Sequence, residues 1–127
     1  MFTSLRLERF KSFRDAELKL GPFTVLIGAN ASGKSNIRDA FRFLHGIGRG
    51  YSLAEIIGEK YGEGGERVWT GIRGGSRDIS YAGARSFALT AQMSEDDHEE
   101  LRYRIEVDVC RRACLGGARR NSGRLPA

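Results

Sequence analysis

An eight-residue segment near the N-terminus carries residue types suited to phosphate binding. It runs from Gly28 to Ser35 and satisfies the spacing G-x-x-x-x-G-K-S/T. Glycines at positions one and six allow backbone angles and close approaches that a side chain would forbid. The successive N–H groups of such a loop point inward and form a concave nest for anions. The segment therefore predicts a polyphosphate site.

Two side chains in this segment predict complementary roles. The ammonium group of Lys34 supplies a mobile point charge for the β- and γ-phosphates. The hydroxyl of Ser35 is a ligand for Mg²⁺, which usually stays bound to phosphates and water as well. A helix that begins near Lys34 would add its positive dipole end at the same place. The alternative is a glycine-rich turn that binds nothing, and the neighbouring elements favour the phosphate loop.

The elements on either side of the loop are the ones that must position it. Residues 23–27 form an uncharged run without alternation, which is typical of a strand covered on both faces of a parallel sheet. Behind the loop, apolar residues recur at helical spacing, with Asp39 on the opposite side. The predicted apolar face comprises Ile37, Ala40, Phe41 and Leu44. A strand, a phosphate loop and a helix are thus predicted in that order.

The rest of the chain predicts mostly strands. Alternation with period two indicates half-buried strands, and Ser52 with Glu55 fits a capping box that begins a short helix over 52–58. The glycine-rich region 46–83 contains two shorter candidate strands. The predicted strands cover residues 5–8, 15–20, 68–72, 78–81, 86–93 and 101–109. The fold class is therefore α/β, with a strand–loop–helix unit joined to antiparallel strands.

Charge divides the chain near residue 110. The 127 residues carry a formal charge of +5, and residues 1–110 contain 16 basic and 16 acidic side chains. Residues 111–127 contain five arginines and no acid. We therefore predict an N-terminal lobe over 1–110 and a basic tail over 111–127 that is disordered or translated out of frame. A basic tail can hold nucleic acid, but a domain-wide basic surface is not indicated.

Composition excludes several protein classes. No apolar run approaches the roughly 18 residues of a transmembrane helix, and the N-terminus lacks the pattern of a signal peptide. Cys110 and Cys114 are too few for a disulfide framework, and with His45 or His98 they make only a weak zinc pattern. Two unrelated thiols are favoured. These features predict a cytoplasmic protein with no membrane partner.

Three short segments carry a family resemblance. They read Leu7-Glu-Arg-Phe-Lys-Ser-Phe-Arg14, Gly28-Ala-Asn-Ala-Ser-Gly-Lys-Ser-Asn36 and Asp39-Ala40. With the run 23–27, they make residues 2–45 resemble the N-terminal part of RecF/SMC-like ATP-binding heads. These heads are P-loop ATPases of the ABC class, often catalogued as AAA or OLD-type. The family loop usually has Gly where this chain has Ala31, a small departure that should still admit phosphate.

The resemblance implies a ligand set and partners. The nucleotide would be ATP with Mg²⁺, and Lys11 occupies a position from which family members reach the nucleotide. Two heads of this family normally sandwich two ATP molecules in a head-to-head dimer, and their work is done on DNA or through an attached effector. DNA repair, chromosome maintenance and phage defence are the usual settings. The implied ATP-binding residues are Gly28, Ala29, Asn30, Ala31, Ser32, Gly33, Lys34, Ser35 and Asn36, with Ser35 on Mg²⁺.

Hydrolysis requires groups that the sequence does not supply. An acid must hold Mg²⁺ and another group must orient the attacking water. In the family these follow a later apolar strand that ends in Asp-Glu, and neither this strand nor the Ser-Gly-Gly signature is found. Gln92 could contact Mg²⁺, but a solvated strand position is favoured. The chain is therefore expected to be a truncated ATPase that needs a C-terminal lobe or partner, or else a nucleotide-binding module without turnover or a remnant without function.

Overall fold

The chain folds into a five-stranded sheet with one long helix packed on one face, as a computed structural model shows. The structure describes residues 1–28, 33–95 and 99–109, and the backbone of residues 115–124. The strands are β1 (Phe2–Phe10), β2 (Phe13–Lys19), β3 (Lys60–Tyr61), β4 (Arg67–Trp69), β5 (Ser86–Glu95), β6 (Glu99–Val109) and β7 (Leu115–Arg124). The helices are α1 (Lys34–Gly48), α2 (Leu53–Ile57) and α3 (Gly75–Asp78), followed by a 3₁₀ turn at Tyr81–Gly83.

The main sheet is antiparallel throughout, with the order β2-β1-β5-β6-β7. Leu5 of β1 lies opposite Leu18 of β2 and Ala91 of β5. Because side chains alternate across a strand, this register directs the apolar set of each strand to the same face. The strands predicted at 5–8, 15–20, 86–93 and 101–109 are confirmed as β1, β2, β5 and β6. The mixed α/β architecture is confirmed as well.

Aromatic side chains join α1 to this sheet. Phe43 of α1 meets Phe87 of β5 edge to face, with 5.4 Å between ring centroids, and Phe87 meets Phe10 of β1 at the same distance. All three rings are fully buried. Edge-to-face contacts add to the free energy gained from burying apolar area. The core therefore holds α1 firmly over the centre of the sheet.

The helix α2 fixes the second half of α1. The predicted capping box is confirmed, because Ser52 Oγ accepts from the Glu55 N–H while the Glu55 carboxylate accepts from the Ser52 N–H. A Cβ on Gly46 of α1 would lie 2.7 Å from Ile56 Cγ1, so only glycine permits this close packing. The indole Nε1 of Trp69 donates to the Ile56 carbonyl at 3.1 Å. These contacts attach residues 52–69 to the C-terminal half of α1.

The predicted strand at 23–27 is wrong. Residues 24–28 have no regular secondary structure, and the side chains of Phe23 and Ile27 are 86% and 90% exposed. A strand covered on both faces needs paired neighbours at its edges. None of the described strands pairs with this segment, since those of the main sheet pair with one another. The apolar run therefore lies open to solvent.

Two predictions in the glycine-rich region also need correction. The strand predicted at 68–72 is shortened to β4, and the strand predicted at 78–81 is replaced by the end of α3 and a 3₁₀ turn. The reason lies in Gly74 and Gly75, whose φ angles of 79° and 57° are left-handed. Successive left-handed residues reverse the chain and cannot extend a strand. The backbone turns here instead, beside the start of α1.

The C-terminal segment differs from the expectation of disorder. The backbone of residues 115–124 pairs with β6 as an antiparallel edge strand. The free edge of a strand offers unpaired N–H and C=O groups that accept a partner with little regard for its side chains. An arginine-, glycine- and alanine-rich segment without apolar alternation can therefore still form a strand. The out-of-frame origin of residues 111–127 stays a prediction.

Candidate functional site

The N-terminus of α1 presents uncapped backbone N–H groups. The helix begins at Lys34 after Gly33, which has left-handed angles of φ 91° and ψ 2°. No side chain of the described residues caps this end, and its first turn contains no acidic residue. The first N–H groups of a helix have no partner within the helix, and the helix dipole makes this end positive. It is therefore an electrostatically favourable place for an anion.

The turn between β1 and β2 lies directly against this helix end. A Cβ on Gly33 would lie 2.9 Å from Phe13 Cζ and 3.3 Å from Ser12 Oγ. The side-chain amide of Asn36 donates to Ser12 Oγ at 2.8 Å. The ammonium of Lys34 donates to the Gly28 carbonyl, so the two ends of the predicted phosphate loop are in contact. The first turn of α1 is thus joined both to the sheet and to the start of the loop.

The predicted ATP-binding residues divide into two groups. The structure brings Gly28, Gly33, Lys34, Ser35 and Asn36 together at the start of α1. Ala29, Asn30, Ala31 and Ser32 lie outside the described residues.

A cleft opens beside the same helix end. Its volume is about 410 Å³. The lining comes from the β1–β2 turn, from the first turn of α1, and from α3 together with the turn that precedes it. The lining residues are Lys11, Ser12, Asn36, Arg73, Gly74 and Asp78. Three separate parts of the chain therefore meet around a space next to the uncapped N–H groups.

A buried ionic cluster forms beneath this cleft. Asp39 of α1 is fully buried, and its Oδ2 lies 3.3 Å from Lys11 Nζ and 3.1 Å from an Arg73 guanidinium nitrogen. The Lys11 ammonium also donates to the Arg73 carbonyl. The backbone of Lys11 is left-handed, with φ 53°, and its N–H donates to the Ile79 carbonyl at 2.9 Å. Lys11 therefore lines the cleft with its ammonium already paired, and its contact with a nucleotide stays a prediction.

The sequence placed Asp39 wrongly and missed Arg73. Helical periodicity predicts Asp39 on the polar side of α1, whereas the structure buries it fully. Its partners lie 28 and 34 residues away along the chain, at distances that periodicity cannot reveal. One signal for Arg73 was available: an arginine immediately before two consecutive glycines indicates a tight turn that carries a cation.

Comparisons with known proteins show the family of this chain. Residues 23–112 match the family described as "AAA domain, putative AbiEii toxin, Type IV TA system". The chain belongs to this AAA family. It is also 36% identical over 107 residues to structural maintenance of chromosomes protein 1 of Arabidopsis thaliana, an alignment that covers 78% of this chain and 7% of the relative. The chain thus spans about 7% of the length of that relative. The expected RecF/SMC-like P-loop ATPase family is confirmed.

On the opposite face of the sheet in this AAA domain, several charged side chains of β1 and β6 pair with one another. Arg104 lies 3.2 Å from a Glu8 carboxylate oxygen and 3.0 Å from one of Glu106. The hydrogen bond to Glu106 is the main reason that the pKa of Arg104 is raised above its ordinary value. On the same face Gln92 accepts from Ser4 Oγ at 2.7 Å; its side chain is half-buried there, not at the solvated position that the sequence favours. The charges of Glu8, Arg104 and Glu106 are therefore compensated within the sheet.

The remaining observation on this AAA domain concerns membranes. In the part of the chain that the structure describes, no helix combines the length and apolar composition needed to cross a bilayer.

Proposed function

We propose that this chain binds ATP with Mg²⁺ at the N-terminus of α1. The observation that carries the proposal is the uncapped, acid-free first turn of α1, which lies next to a cleft lined by Lys11 and Arg73. A polyphosphate needs several N–H donors and cations that converge from different directions. The described residues provide both, and the AAA family supports the choice of ATP as the nucleotide.

Each residue of the site has a proposed role. The backbone of Gly28, Ala29, Asn30, Ala31, Ser32 and Gly33 would wrap the phosphates. Lys34 would exchange its bond to the Gly28 carbonyl for the terminal phosphates, since an ammonium group binds a phosphate more strongly than a neutral carbonyl. Ser35 would bind Mg²⁺, and Asn36 would hold the β1–β2 turn in place through Ser12. The exposed guanidinium of Arg73 would add a second cation from the cleft.

The fit of a nucleotide is supported by the donor set around the cleft. The lining contains the cations Lys11 and Arg73 and the neutral groups of Ser12 and Asn36, with Asp78 as its one acid among the described residues. When bound, Mg²⁺ would neutralise phosphate charge.

Binding without turnover by this chain alone is the second candidate. Hydrolysis requires an acid free to hold Mg²⁺ and a group that orients water. Asp39 is already committed to two cations, and Asp78 lies across the cleft in α3. The family resemblance supports further proposals for this chain. They are ATP hydrolysis, a head-to-head dimer, a C-terminal lobe, a role on DNA in repair or chromosome maintenance, phage defence and a cytoplasmic location.

Calorimetric titration of the 127-residue chain with ATP, with and without Mg²⁺, tests the proposal. Lys34→Ala should lower the affinity at least about tenfold, because a charge-assisted contact to phosphate is lost. Lys19→Ala is the matched control, since Lys19 is 77% exposed on β2 and, among the described residues, pairs at the surface with Glu17. Equal ATP affinity of the Lys34→Ala variant and the unaltered chain would remove the loop from the proposed site.

A phosphate-release assay separates the two candidates. Release that depends on Lys34 would establish turnover, whereas binding without release would favour the binding module. Ser35→Ala should remove the part of ATP affinity that depends on Mg²⁺ and leave the rest. An unchanged Mg²⁺ dependence in that variant would contradict the role given to Ser35.

A further inference from the structure

The carboxylate of Asp39 joins three parts of the chain beneath the cleft. It belongs to the second turn of α1, and its Oδ2 contacts Lys11 of the β1–β2 turn and Arg73 of the turn before α3. Its side chain is 1% exposed, and its Oδ1 is buried without a hydrogen-bond partner among the described residues. A buried carboxylate is costly unless cations compensate it. The buried carboxylate of Asp39 therefore holds the cationic side chains of Lys11 and Arg73 next to it by electrostatic attraction.

The two cations differ in what they can still offer a ligand. The side chain of Lys11 is 7% exposed, and its ammonium contacts both Asp39 and the Arg73 carbonyl. The side chain of Arg73 is 54% exposed, and Asp39 is the partner that the described residues give to one of its guanidinium nitrogens. A guanidinium has five N–H donors in a fixed plane, so most of them remain for a ligand. Lys11 thus serves as a counter-ion, while Arg73 is oriented and accessible.

We infer that Asp39 is a positioning residue: paired with Lys11, it fixes the guanidinium of Arg73 at the edge of the cleft for the phosphates of the nucleotide. The inference rests on the proposed ATP binding, and it adds the Asp39 carboxylate as the group that orients Arg73. An arginine on an exposed turn would otherwise lose considerable side-chain entropy on binding. The bond to Asp39 imposes that loss during folding, so less remains at the moment of binding.

A positioning role and a simple charge effect predict opposite changes in ATP affinity for Asp39→Asn. If Asp39 acted only through its negative charge, Asp39→Asn would tighten ATP binding, because repulsion of the phosphates would be reduced. If it positions Arg73, the same variant binds ATP about tenfold more weakly, since a charge-assisted interaction is no longer formed in the bound state. Asparagine has nearly the shape of aspartate, so packing changes little.

A double-mutant cycle on ATP affinity tests the coupling. The 127-residue chain, Asp39→Asn, Arg73→Gln and the double variant are titrated with Mg²⁺-ATP, and each is checked by circular dichroism and a thermal melt. Arg73→Gln should cost about tenfold, and adding Asp39→Asn should cost less than about a further twofold, because both changes remove one function. A merely structural role for Asp39 would instead make the two losses multiply.

Two further variants keep the test decisive if Asp39→Asn leaves Lys11 buried without a counter-ion and unfolds the chain. Asp39→Asn with Lys11→Met removes both buried charges together, which costs less stability than removing one, and it should show the same loss of ATP affinity. Arg73→Lys keeps the charge at an exposed position but lacks the planar fork, and should also bind about tenfold more weakly.

The outcomes separate the inference from the function on which it rests. ATP binding by the unaltered chain with non-additive losses supports the positioning role. Tighter or unchanged binding in Asp39→Asn or in the charge-free pair, multiplied losses in the cycle, or full affinity in Arg73→Lys would overturn the inference and leave ATP binding intact. No binding by the unaltered chain would overturn the proposed function and the inference together.

Discussion

Substituting Gly33 with alanine tests how α1 begins. The residue has φ 91°, and an alanine held in a left-handed conformation costs about 1–2 kcal/mol. Its Cβ would also lie 2.9 Å from Phe13 Cζ and 3.3 Å from Ser12 Oγ. Displacing a packed aromatic ring adds about 1–3 kcal/mol. The expected loss in the free energy of unfolding is therefore about 2–5 kcal/mol.

Gly50→Ala is the matched control for this change. Gly50 also has a left-handed φ of 77°, but a Cβ there meets no atom within 4 Å. It should cost only the backbone part, about 1–2 kcal/mol. Urea unfolding followed by the fluorescence of Trp69, the one tryptophan in the chain, measures both variants, because this buried indole becomes exposed on unfolding.

The difference in the free energy of unfolding between the two variants tests the contact between Phe13 and the start of α1. Gly33→Ala should be less stable than Gly50→Ala by about 1–3 kcal/mol, the contribution of the contact with Phe13. It should also bind ATP more weakly, whereas Gly50→Ala should bind ATP normally. Equal stability of the two variants would show that Phe13 does not pack against the helix start. Equal stability of Gly33→Ala and the unaltered chain would refute the left-handed conformation itself.

Three further predictions concern the supporting structure. Gly46→Ala should lower the stability by about 1–2 kcal/mol in a thermal melt, because crowding against Ile56 outweighs the higher helix propensity of alanine; a stabilised variant would contradict the α1–α2 packing. Trp69→Phe should cost about 1–3 kcal/mol by circular dichroism, since the buried Ile56 carbonyl loses its donor, and no loss would mean that water replaces the indole. The hydrogen bonds from Lys60 and Ser52 hold the pKa of Glu55 at about 2, below the ordinary 4.5, so its contribution to stability is complete above about pH 4.5 and disappears as pH falls through about 2. The difference in melting temperature between Glu55→Gln and the unaltered chain should therefore close over that range, and a difference independent of pH would exclude the carboxylate as its cause.

Local patterns in the sequence were sufficient for much of the fold. The period-two strands, the helix after the loop and the capping box of α2 depend on neighbours within a few residues. The run at 23–27 shows the limit of that reasoning. Its lack of charge indicates that it would pack favourably against an apolar surface. Strand pairing, however, depends on strands elsewhere in the chain, and the described strands do not pair with this run. An apolar run thus indicates that burial of the segment would be favourable, but it does not show whether another part of the chain covers it.

The candidate site was predictable in one part and hidden in another. Spacing alone marked Lys34 and Ser35, because the phosphate-loop pattern is contiguous. The cluster of Asp39, Lys11 and Arg73 unites residues from three segments, and only the folded backbone shows that they meet. Helical periodicity predicts that Asp39 faces solvent, because it does not account for charged side chains that other segments bring next to the helix.

The two ends of the loop between residues 28 and 33 are restrained very unequally. At one end, Gly33 is fixed against Phe13 and leads into a helix that is packed in the core. At the other end, Gly28 follows Ile27, whose side chain is 90% exposed, and among the described residues the contact given for Gly28 is the hydrogen bond from the Lys34 ammonium. Ordering a loop around a ligand costs entropy in proportion to the freedom it loses. If the chain binds a nucleotide as proposed, a surface that covered the side chains of Phe23 and Ile27 would restrain Gly28 before binding and so raise the nucleotide affinity without touching the nucleotide.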